Sequence, residues 1–170
     1  AETTIPARPR PQPTQVVPSP VELGGPVEGI WFRTTHEEQP VLMSCEMALR
    51  LPVLIEVLKR HGVHGVEMLS SYRPGPRTSF HTMGLAWDLN RFWTDRGWLS
   101  VLQHYEATPD QRTCEGPMPR DRRARKLRQI ACQLWRTRRF STVLTPNYNE
   151  GHRDHFHIDA RPDDPRLYLR

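Results

Sequence analysis

Two histidine-containing segments, far apart in the chain, place the tightest constraint on how this sequence can fold. They occupy residues 79–88 (SFHTMGLAWD) and residues 152–159 (HRDHFHID). In the second segment, His155 and His157 alternate with apolar residues. Because successive side chains of a β-strand point to opposite faces, this alternation places both imidazoles on one face and the apolar side chains in the core. A fold that brings the first segment to that face would unite histidines and carboxylates from both.

The first segment contributes His81 and Asp88. Gly84 and the β-formers around it argue against a helix, so we expect His81 on a turn and Asp88 on the following strand, both directed into a cleft. Two imidazoles and one carboxylate suit a zinc ion, and three protein ligands with an open fourth position are typical of a catalytic zinc site. The two segments together therefore predict a metal-dependent hydrolase.

Further polar groups near these segments are candidates for acid and base steps. His155, Asp154 and His152 could each take a proton from water and return it to a leaving amine, and the residues alone do not choose among them. Arg73, just before the first segment, could stabilise an oxyanion. Each residue taken singly has an ordinary structural explanation, so the prediction depends on their joint occurrence.

Helix signals dominate the stretch from residue 44 to residue 62. Ser44 is suited to cap the start of a helix whose apolar residues recur every three or four positions, and Gly62 is suited to follow its end. Pro52 interrupts this pattern. We therefore expect either a kinked helix or two short helices, the second opened by Pro52.

Strand signals follow. Residues 63–72 alternate and lead into a turn at 73–76, and residues 85–93 form a second strand, joined by a turn at 95–97 to a partner strand at 98–104. The large aromatic residues of this region are expected to pack in the core and the hairpin rather than to form a substrate platform: Trp87, Phe92, Trp93 and Trp98.

The last part of the chain predicts one long helix and two strands. Residues 121–139 have a clear apolar face, and residues 143–145 and 154–160 close the sheet. This order of elements predicts an α+β fold in which a small antiparallel sheet carries the candidate metal site and packs against two or three helices.

The first residues differ in composition from the rest. Residues 1–28 are rich in proline, which favours an extended arm or linker with too little apolar surface to fold alone. We therefore place a single domain at residues 29–170, a length that suits one globular unit. Residues 1–20 lack the apolar core of a signal peptide, as a mature exported chain also would.

Charge and hydrophobicity limit the partners. The formal net charge of +5 suits an anionic partner such as cell-wall polymer, and the absence of RNA-binding or zinc-finger motifs argues against nucleic acid. No apolar run is long enough to cross a bilayer. We expect a monomer without a membrane span.

The three cysteines, Cys45, Cys114 and Cys132, form no Cys-x-x-Cys pair, which argues against a thiolate zinc site. A disulfide between Cys114 and Cys132 would anchor a loop to a helix. Three unpaired buried thiols are the alternative.

The joint pattern resembles a known group of proteins. Ser-x-His-x-x-Gly-x-Ala-x-Asp at residues 79–88, followed by His-x-x-His-x-His at residues 152–157, looks like the zinc peptidases that include D-Ala-D-Ala carboxypeptidases, penicillin-insensitive murein endopeptidases and the Hedgehog signalling domain. Within that group, the tract at residues 140–149 (FSTVLTPNYN) is most similar to the extensin-like C-terminal domains of bacteria. The resemblance covers roughly residues 40–160.

The resemblance implies a metal centre and a base. His81, Asp88 and His157 would be the ligands of Zn²⁺. His155 takes the place of a catalytic histidine, whereas Asp154 lies where the carboxypeptidases have a glutamate base. We favour His155, because the shorter aspartate would need a different reach, and both remain candidates.

Two more residues match active-site positions of relatives. Arg73 corresponds to an arginine that stabilises the transition state, and His152 corresponds to a further histidine of the endopeptidases. The resemblance therefore implies a zinc metallopeptidase that cleaves peptidoglycan stem peptides or cross-links, as an endopeptidase or a carboxypeptidase, in the bacterial periplasm or cell envelope. The alternatives are a non-catalytic, zinc-stabilised module that binds cell wall or protein and, less favoured, an amidase that cuts between sugar and peptide.

Overall fold

The computed structural model describes residues 3–5, 15–17, 19–36, 40–75, 79–109, 111–162 and 167–170. The strands within these ranges are, in chain order, β1 (Thr3–Ile5), β2 (Gln15–Val17), β3 (Pro20–Leu23), β4 (Trp31–Thr34), β5 (Val41–Ser44), β6 (Val63–Ser70), β7 (Ala86–Thr94), β8 (Gly97–Ser100), β9 (Thr142–Leu144), β10 (Phe156–Asp159) and β11 (Tyr168–Leu169). The α-helices are α1 (Cys45–Ala48), α2 (Leu51–Arg60), α3 (Val101–His104) and α4 (Arg122–Arg136).

One large sheet organises the molecule. Its strand order is β11-β9-β10-β7-β6-β4, and β8 also pairs with β7. The central pairs are antiparallel, whereas the pairs β11–β9 and β4–β6 at the two ends are parallel. The predicted α+β fold, with a sheet packed against helices, is confirmed. The observed sheet is antiparallel at its centre, as predicted, and the strands that carry Asp88 and His157 lie there.

The helical stretch after β5 consists of two helices. Ser44 caps α1 by accepting a hydrogen bond from the backbone N–H of Met47 at 3.2 Å, and Pro52 lies in the first turn of α2. α2 ends before Gly62, whose φ of 66° lies in the left-handed region that favours glycine. The prediction of two short helices with Pro52 opening the second is confirmed.

The hairpin after β7 departs from the sequence prediction. β8 ends at Ser100, and the residues predicted to continue it form α3. The Ser100 hydroxyl accepts a hydrogen bond from the backbone N–H of Gln103 at 3.4 Å and so caps this helix. The prediction of a strand over residues 98–104 is therefore wrong beyond residue 100, because a local cap signal ended the alternation.

The long helix near the C-terminus is close to its predicted bounds. Asp121 caps α4 by accepting hydrogen bonds from the backbone N–H groups of Arg123 and Ala124, both at 2.9 Å. The helix ends at Arg136, short of the predicted residue 139, and Arg138 has a positive φ of 55°. α4 packs against α2 and against β9.

The two faces of the sheet differ in character. Phe32, Val66, Trp87, Leu89 and Phe92 are buried in the core that the sheet shares with α2 and α4. Because neighbouring residues of a strand point to opposite sides, the residues between them lie on the other face. That second face carries polar and charged side chains together with three tryptophans, and the histidine segments lie on it.

The loop before α4 is tied to that helix. A disulfide joins Cys114 to Cys132, which confirms the first of the two cysteine predictions. Cys45 is an exposed free cysteine. The buried guanidinium of Arg128 donates hydrogen bonds to the carbonyls of Thr113, Pro117 and Glu115 at 2.5, 3.0 and 2.6 Å. The alternative of three unpaired, buried thiols is wrong.

The predicted proline-rich arm is described only in part, since residues 1–2, 6–14 and 18 lie outside the described residues. Within the arm, β1 pairs with β2, and β3 pairs with β5 of the domain. The end of the arm nearest the domain therefore lies against it as a strand. Among the described residues, no helix is long and apolar enough to cross a membrane.

Candidate metal centre

Strand pairing and one turn deliver the three predicted ligands. Asp88 on β7 and His157 on β10 are register partners in an antiparallel ladder, so their side chains point to the same face. His81 lies in the turn that joins β6 to β7. The described residues contain one group of three or more potential metal-binding side chains, and it consists of these three residues, with donor atoms within 4.8 Å of one another.

The turn that carries His81 is held by local hydrogen bonds. The backbone N–H of Ser79 donates to Thr82 Oγ1 at 2.8 Å, and the backbone N–H of Thr82 donates to Ser79 Oγ at 3.3 Å. Gly84 closes the turn with a φ of 67°, and a Cβ at this position would lie 2.7 Å from the backbone nitrogen of Ser44. Only glycine fits there, because both the backbone conformation and the space exclude a side chain.

The donor atoms converge closely. His81 Nε2 lies 3.3 Å from His157 Nδ1 and 3.2 Å from Asp88 Oδ2. His157 Nδ1 lies 2.9 Å from Asp88 Oδ1. Asp88 Oδ2 also accepts a hydrogen bond from Ser70 Oγ at 2.7 Å, which holds the carboxylate in place. The three side chains are buried or nearly so, with exposed fractions of 5%, 6% and 14% for His81, Asp88 and His157.

Outer hydrogen bonds orient the two imidazoles. His81 Nδ1 lies 2.9 Å from the carbonyl oxygen of Ser71, so its N–H donates there and Nε2 faces the cluster. His157 is turned the other way: its Nε2 lies 3.5 Å from Asp159 Oδ2, and its Nδ1 faces the cluster. Hydrogen bonds from the outer nitrogen of a metal-binding histidine to a carbonyl or carboxylate are usual in metal sites.

Electrostatics favour positive charge in the cluster. Burial alone would raise the pKa of Asp88, but hydrogen bonds from His157 and His81 outweigh this and hold its pKa well below the ordinary value. Burial alone would lower the pKa of His157, but the carboxylates of Asp159 and Asp88 outweigh this and raise its pKa to about 9. The cluster thus stabilises a cation beside Asp88, a charge that a bound metal would supply in place of a proton.

The residues present fit zinc. In a regular tetrahedron with zinc–ligand bonds of about 2.0–2.1 Å, donor atoms are roughly 3.3–3.4 Å apart. The distance of 3.3 Å between His81 Nε2 and His157 Nδ1 agrees with that spacing. The distance of 2.9 Å between His157 Nδ1 and Asp88 Oδ1 is a few tenths of an ångström shorter, so these two side chains would move slightly apart around a bound zinc ion. Two imidazoles and one carboxylate are also the donor types that zinc takes in catalytic sites.

His155 and Asp154 lie at the edge of the cluster and contact each other. His155 Nδ1 is 2.8 Å from Asp154 Oδ1, and His155 Nε2 is 3.5 Å from Asp88 Oδ1. The side-chain amide of Asn90 donates to the backbone carbonyl of Asp154 at 2.7 Å, which ties this segment to β7. Asp154 therefore contacts His155 rather than the cluster, and the Nε2 atom of His155 is directed inward.

The remaining predicted residues differ in their proximity to the cluster. The His152 ring lies 5.0 Å from that of His155 and 6.1 Å from that of His157, and its Nδ1 is 2.7 Å from Asn149 Oδ1. Burial, followed by the positive charge of the other two histidines, lowers the pKa of His152. Arg73 donates its backbone N–H to the carbonyl of His81 at 3.4 Å. The Arg73 side chain is exposed and forms no hydrogen bond or ion pair within the described part of the chain.

Sequence reasoning missed the residues that orient the ligands. Ser70, the backbone carbonyl of Ser71 and Asp159 contact Asp88, His81 and His157, respectively. One of these had a signal in the sequence: Asp159 is two residues from His157 and therefore lies on the same strand face. The roles of Ser70 and Ser71 depend on the pairing of β6 with β7, which the sequence pattern does not specify.

The fold and the cluster define an α+β protein with a candidate metal centre of two histidines and one aspartate, built at the middle of a sheet. The chain belongs to the family described as extensin-like protein C-terminus, whose model matches residues 12–167. No curated protein and no solved structure matches the chain.

Proposed function

We propose that this protein is a zinc-dependent peptidase that cleaves peptidoglycan stem peptides or cross-links. The observation that carries the proposal is the convergence of His81 Nε2, Asp88 and His157 Nδ1 at spacings that suit zinc. The orientation of both imidazoles by outer acceptors supports it, because metal-binding histidines usually donate their other ring N–H to a carbonyl or a carboxylate. When bound, zinc would act as a Lewis acid toward a peptide carbonyl and toward water.

His155 is the proposed general base. Its Nδ1–H is held by Asp154 at 2.8 Å, which leaves the Nε2 lone pair directed toward the cluster to accept a proton. Asp154 then acts by fixing the tautomer of His155 and by stabilising its charged form after proton uptake. This division of roles follows from the contact between the two residues, because Asp154 has no hydrogen bond or ion pair to the three proposed ligands within the described residues.

Two further residues are proposed to act on the substrate. The exposed guanidinium of Arg73 is attached to the same chain segment as His81 and has its N–H donors available for a carbonyl oxygen that gains negative charge. His152 has a lowered pKa and is therefore neutral near pH 7, so it can accept a hydrogen bond from the substrate or donate one to it. The His152 ring lies 5.0 Å from that of His155 and 6.1 Å from that of His157, whereas Arg73 is joined to the site through its backbone contact with His81.

The substrate and the compartment are proposed from chemistry and from the family. The net charge of +5 suits a polymer whose peptides carry carboxylates. The disulfide between Cys114 and Cys132 supports an oxidising location such as the periplasm. Within the zinc peptidase group that the sequence resembles, the distinction between carboxypeptidase and endopeptidase depends on where the bound peptide ends.

Mass spectrometry of defined muropeptides tests the proposal. The zinc-loaded protein should release D-Ala or separate cross-linked dimers, whereas His157→Ala should do neither. Metal analysis of both proteins should show one zinc per chain for the first and less for the second. Stoichiometric zinc with no product from any muropeptide would contradict the peptidase and favour a zinc-stabilised binding module instead.

A further inference from the structure

A row of tryptophans crosses the sheet on the same face as the candidate metal centre. Trp31, Gly65, Trp93 and Trp98 are successive register partners on β4, β6, β7 and β8. The Trp93 and Trp98 rings lie 4.1 Å apart. Gly65 makes room for this row, since a Cβ there would be 2.5 Å from Trp93 Cε3. Trp31 is 55% exposed, on the edge strand of the sheet.

A row of charged residues lies next to the tryptophans. Arg33, Glu67 and Arg91 are register partners on β4, β6 and β7. Glu67 is largely buried and binds both arginines, with its two oxygens 3.1 Å from Arg33 Nη2 and 3.3 Å from Arg91 Nη1. The arginine side chains are 38% and 49% exposed. Two guanidiniums share one carboxylate, so this row carries excess positive charge.

The two rows form one surface, which we call the tryptophan–arginine face and define as Trp31, Arg33, Arg91, Trp93 and Trp98. Arg33 connects the rows, because its Cζ lies 4.2 Å from the ring centre of Trp93. The surface runs along β6 and β7 toward Ser70 and Asp88, which are themselves register partners.

This face is continuous with the candidate metal centre. Phe32, Trp87 and Phe92 are buried in the core, and Arg33 follows Phe32 on the opposite face. Asn90 has no register partner on β6, and this irregularity lets Asp88 and Arg91, three residues apart, both lie on the face opposite the core. A polymer bound along β6 and β7 would therefore reach from the tryptophans, across the arginines, to the cluster. At about 3.3 Å per residue, the path from Asp88 to Trp93 is roughly 16 Å, the length of a few sugar or peptide units.

We infer that the tryptophan–arginine face binds the glycan strand of peptidoglycan and holds its peptides at the metal centre. This inference rests on the proposed function. The apolar C–H face of a sugar ring packs on an exposed indole, and the free N–H donors of Arg33 and Arg91 suit sparse carboxylates on the polymer.

The charge pattern favours a glycan over nucleic acid. A phosphate backbone requires a groove of uncompensated positive charge. Here the buried carboxylate of Glu67 neutralises one of the two arginines, which leaves one net charge across the row. A polymer with occasional carboxylates matches that charge better than one with a phosphate at every unit.

Packing alone accounts for part of the face but not for all of it. Trp93 and Trp98 stack on each other, as hairpin partners would, and this agrees with the role predicted for them. Trp31 stacks on no ring among the described residues and remains exposed on the edge strand. The exposed indole of Trp31, in the same row as the stacked pair, offers an apolar surface on which a sugar ring could pack.

Binding to peptide-free glycan strands tests the inference separately from cleavage. The binding measurements use His157→Ala as the background, so that hydrolysis cannot change the ligand. In that background, Trp31→Ala and Arg91→Ala should weaken binding about five- to tenfold, in line with the loss of one aromatic or charged contact. Tyr168→Ala and Arg120→Ala, which replace an exposed tyrosine and an exposed arginine elsewhere, should leave the affinity unchanged.

The outcomes separate the two proposals. Unchanged glycan affinity in both Trp31→Ala and Arg91→Ala would overturn the glycan surface, even if the wild-type protein cleaves small stem peptides. Tighter binding to single-stranded DNA than to glycan would overturn it as well. Glycan binding that depends on Trp31 and Arg91, in a protein that cleaves no stem peptide, would support the surface and contradict the peptidase.

Discussion

His157 on β10 and Asp88 on β7 face each other across an antiparallel ladder, and His157 Nδ1 lies 2.9 Å from Asp88 Oδ1. The backbone pairing of two central strands thus sets the distance between two of the three proposed zinc ligands. Sites built on paired strands hold their geometry better than sites built on loops. The third ligand, His81, is held by a turn, and its position depends on the hydrogen bonds of Ser79 and Thr82.

Removal of zinc should lower the melting temperature, because an ion that binds only the folded state stabilises it by mass action. In His157→Ala, metal content should fall below one zinc per chain, and a chelator should no longer change the melting temperature. His64→Ala, which replaces an exposed histidine, is the control and should behave as wild type. A chelator response that persists in His157→Ala would place the stabilising ion at another site.

Asp159→Asn should weaken zinc binding. Asp159 Oδ2 lies 3.5 Å from His157 Nε2, so the substitution removes the charge that orients this imidazole while it keeps the shape of the side chain. Loss of such an outer contact costs about 10- to 100-fold in metal affinity. Competition with a chromophoric chelator measures the change, and exposed Asp95→Asn serves as the matched control. Equal affinity in the two variants would show that Asp159 does not position His157.

His155→Ala should retain zinc and lose turnover of muropeptides by roughly 100- to 10,000-fold, the usual contribution of a general base. Asp154→Asn should lose less, because Asp154 contacts His155 rather than the cluster. Rates and zinc content are measured on the same preparations. A larger loss in Asp154→Asn than in His155→Ala would reverse the roles proposed for the two residues.

Gly84→Ala should destabilise the fold by about 2–3 kcal/mol. The residue has a φ of 67°, and a Cβ would lie 2.7 Å from the backbone nitrogen of Ser44, which cannot move as a flexible side chain would. Gly24→Ala is the matched control, because no atom lies within 4 Å of a Cβ at that position. Chemical denaturation measures both free energies of unfolding. A similar value for the two variants would mean that the turn around His81 adapts.

Arg128→Lys should destabilise the protein by about 3 kcal/mol, because one ammonium cannot replace a guanidinium that donates to three separate buried carbonyls. Arg136→Lys, on the exposed side of the same helix, should have little effect. Denaturation curves for both variants check the difference. An equally small effect at Arg128 would show that the disulfide between Cys114 and Cys132 holds the loop by itself.

Local signals in the sequence predicted much of the secondary structure. Ser44 caps the first helix as its position indicated, and Pro52 lies in the first turn of the second helix as expected. The alternation around His157 correctly indicated a strand. Such features depend on neighbouring residues alone, so they can be recognised without knowledge of the fold.

The prediction was less complete where two signals competed or where distant strands meet. Ser100 ended a strand that alternation alone would have continued to residue 104. The pairing of β6 with β7 includes register shifts between Glu67 and Met68 and between Met68 and Ser70. These shifts decide which side chains share a face, and they arise from packing across the sheet rather than from either strand alone.

The amino-acid sequence was sufficient to indicate the two histidine segments, the strand alternation around His157 and the starts of the first two helices, since each depends on residue chemistry and on spacing along the chain; the choice of His81, Asp88 and His157 as ligands came from the family resemblance. The tertiary structure was needed to show which nitrogen of each histidine faces the cluster, because the carbonyl of Ser71 and the carboxylate of Asp159 determine that choice. It was also needed to place Trp31 and Arg33 on the face that carries Asp88. Those relationships arise from cross-strand register, which long-range packing sets and a linear pattern does not contain.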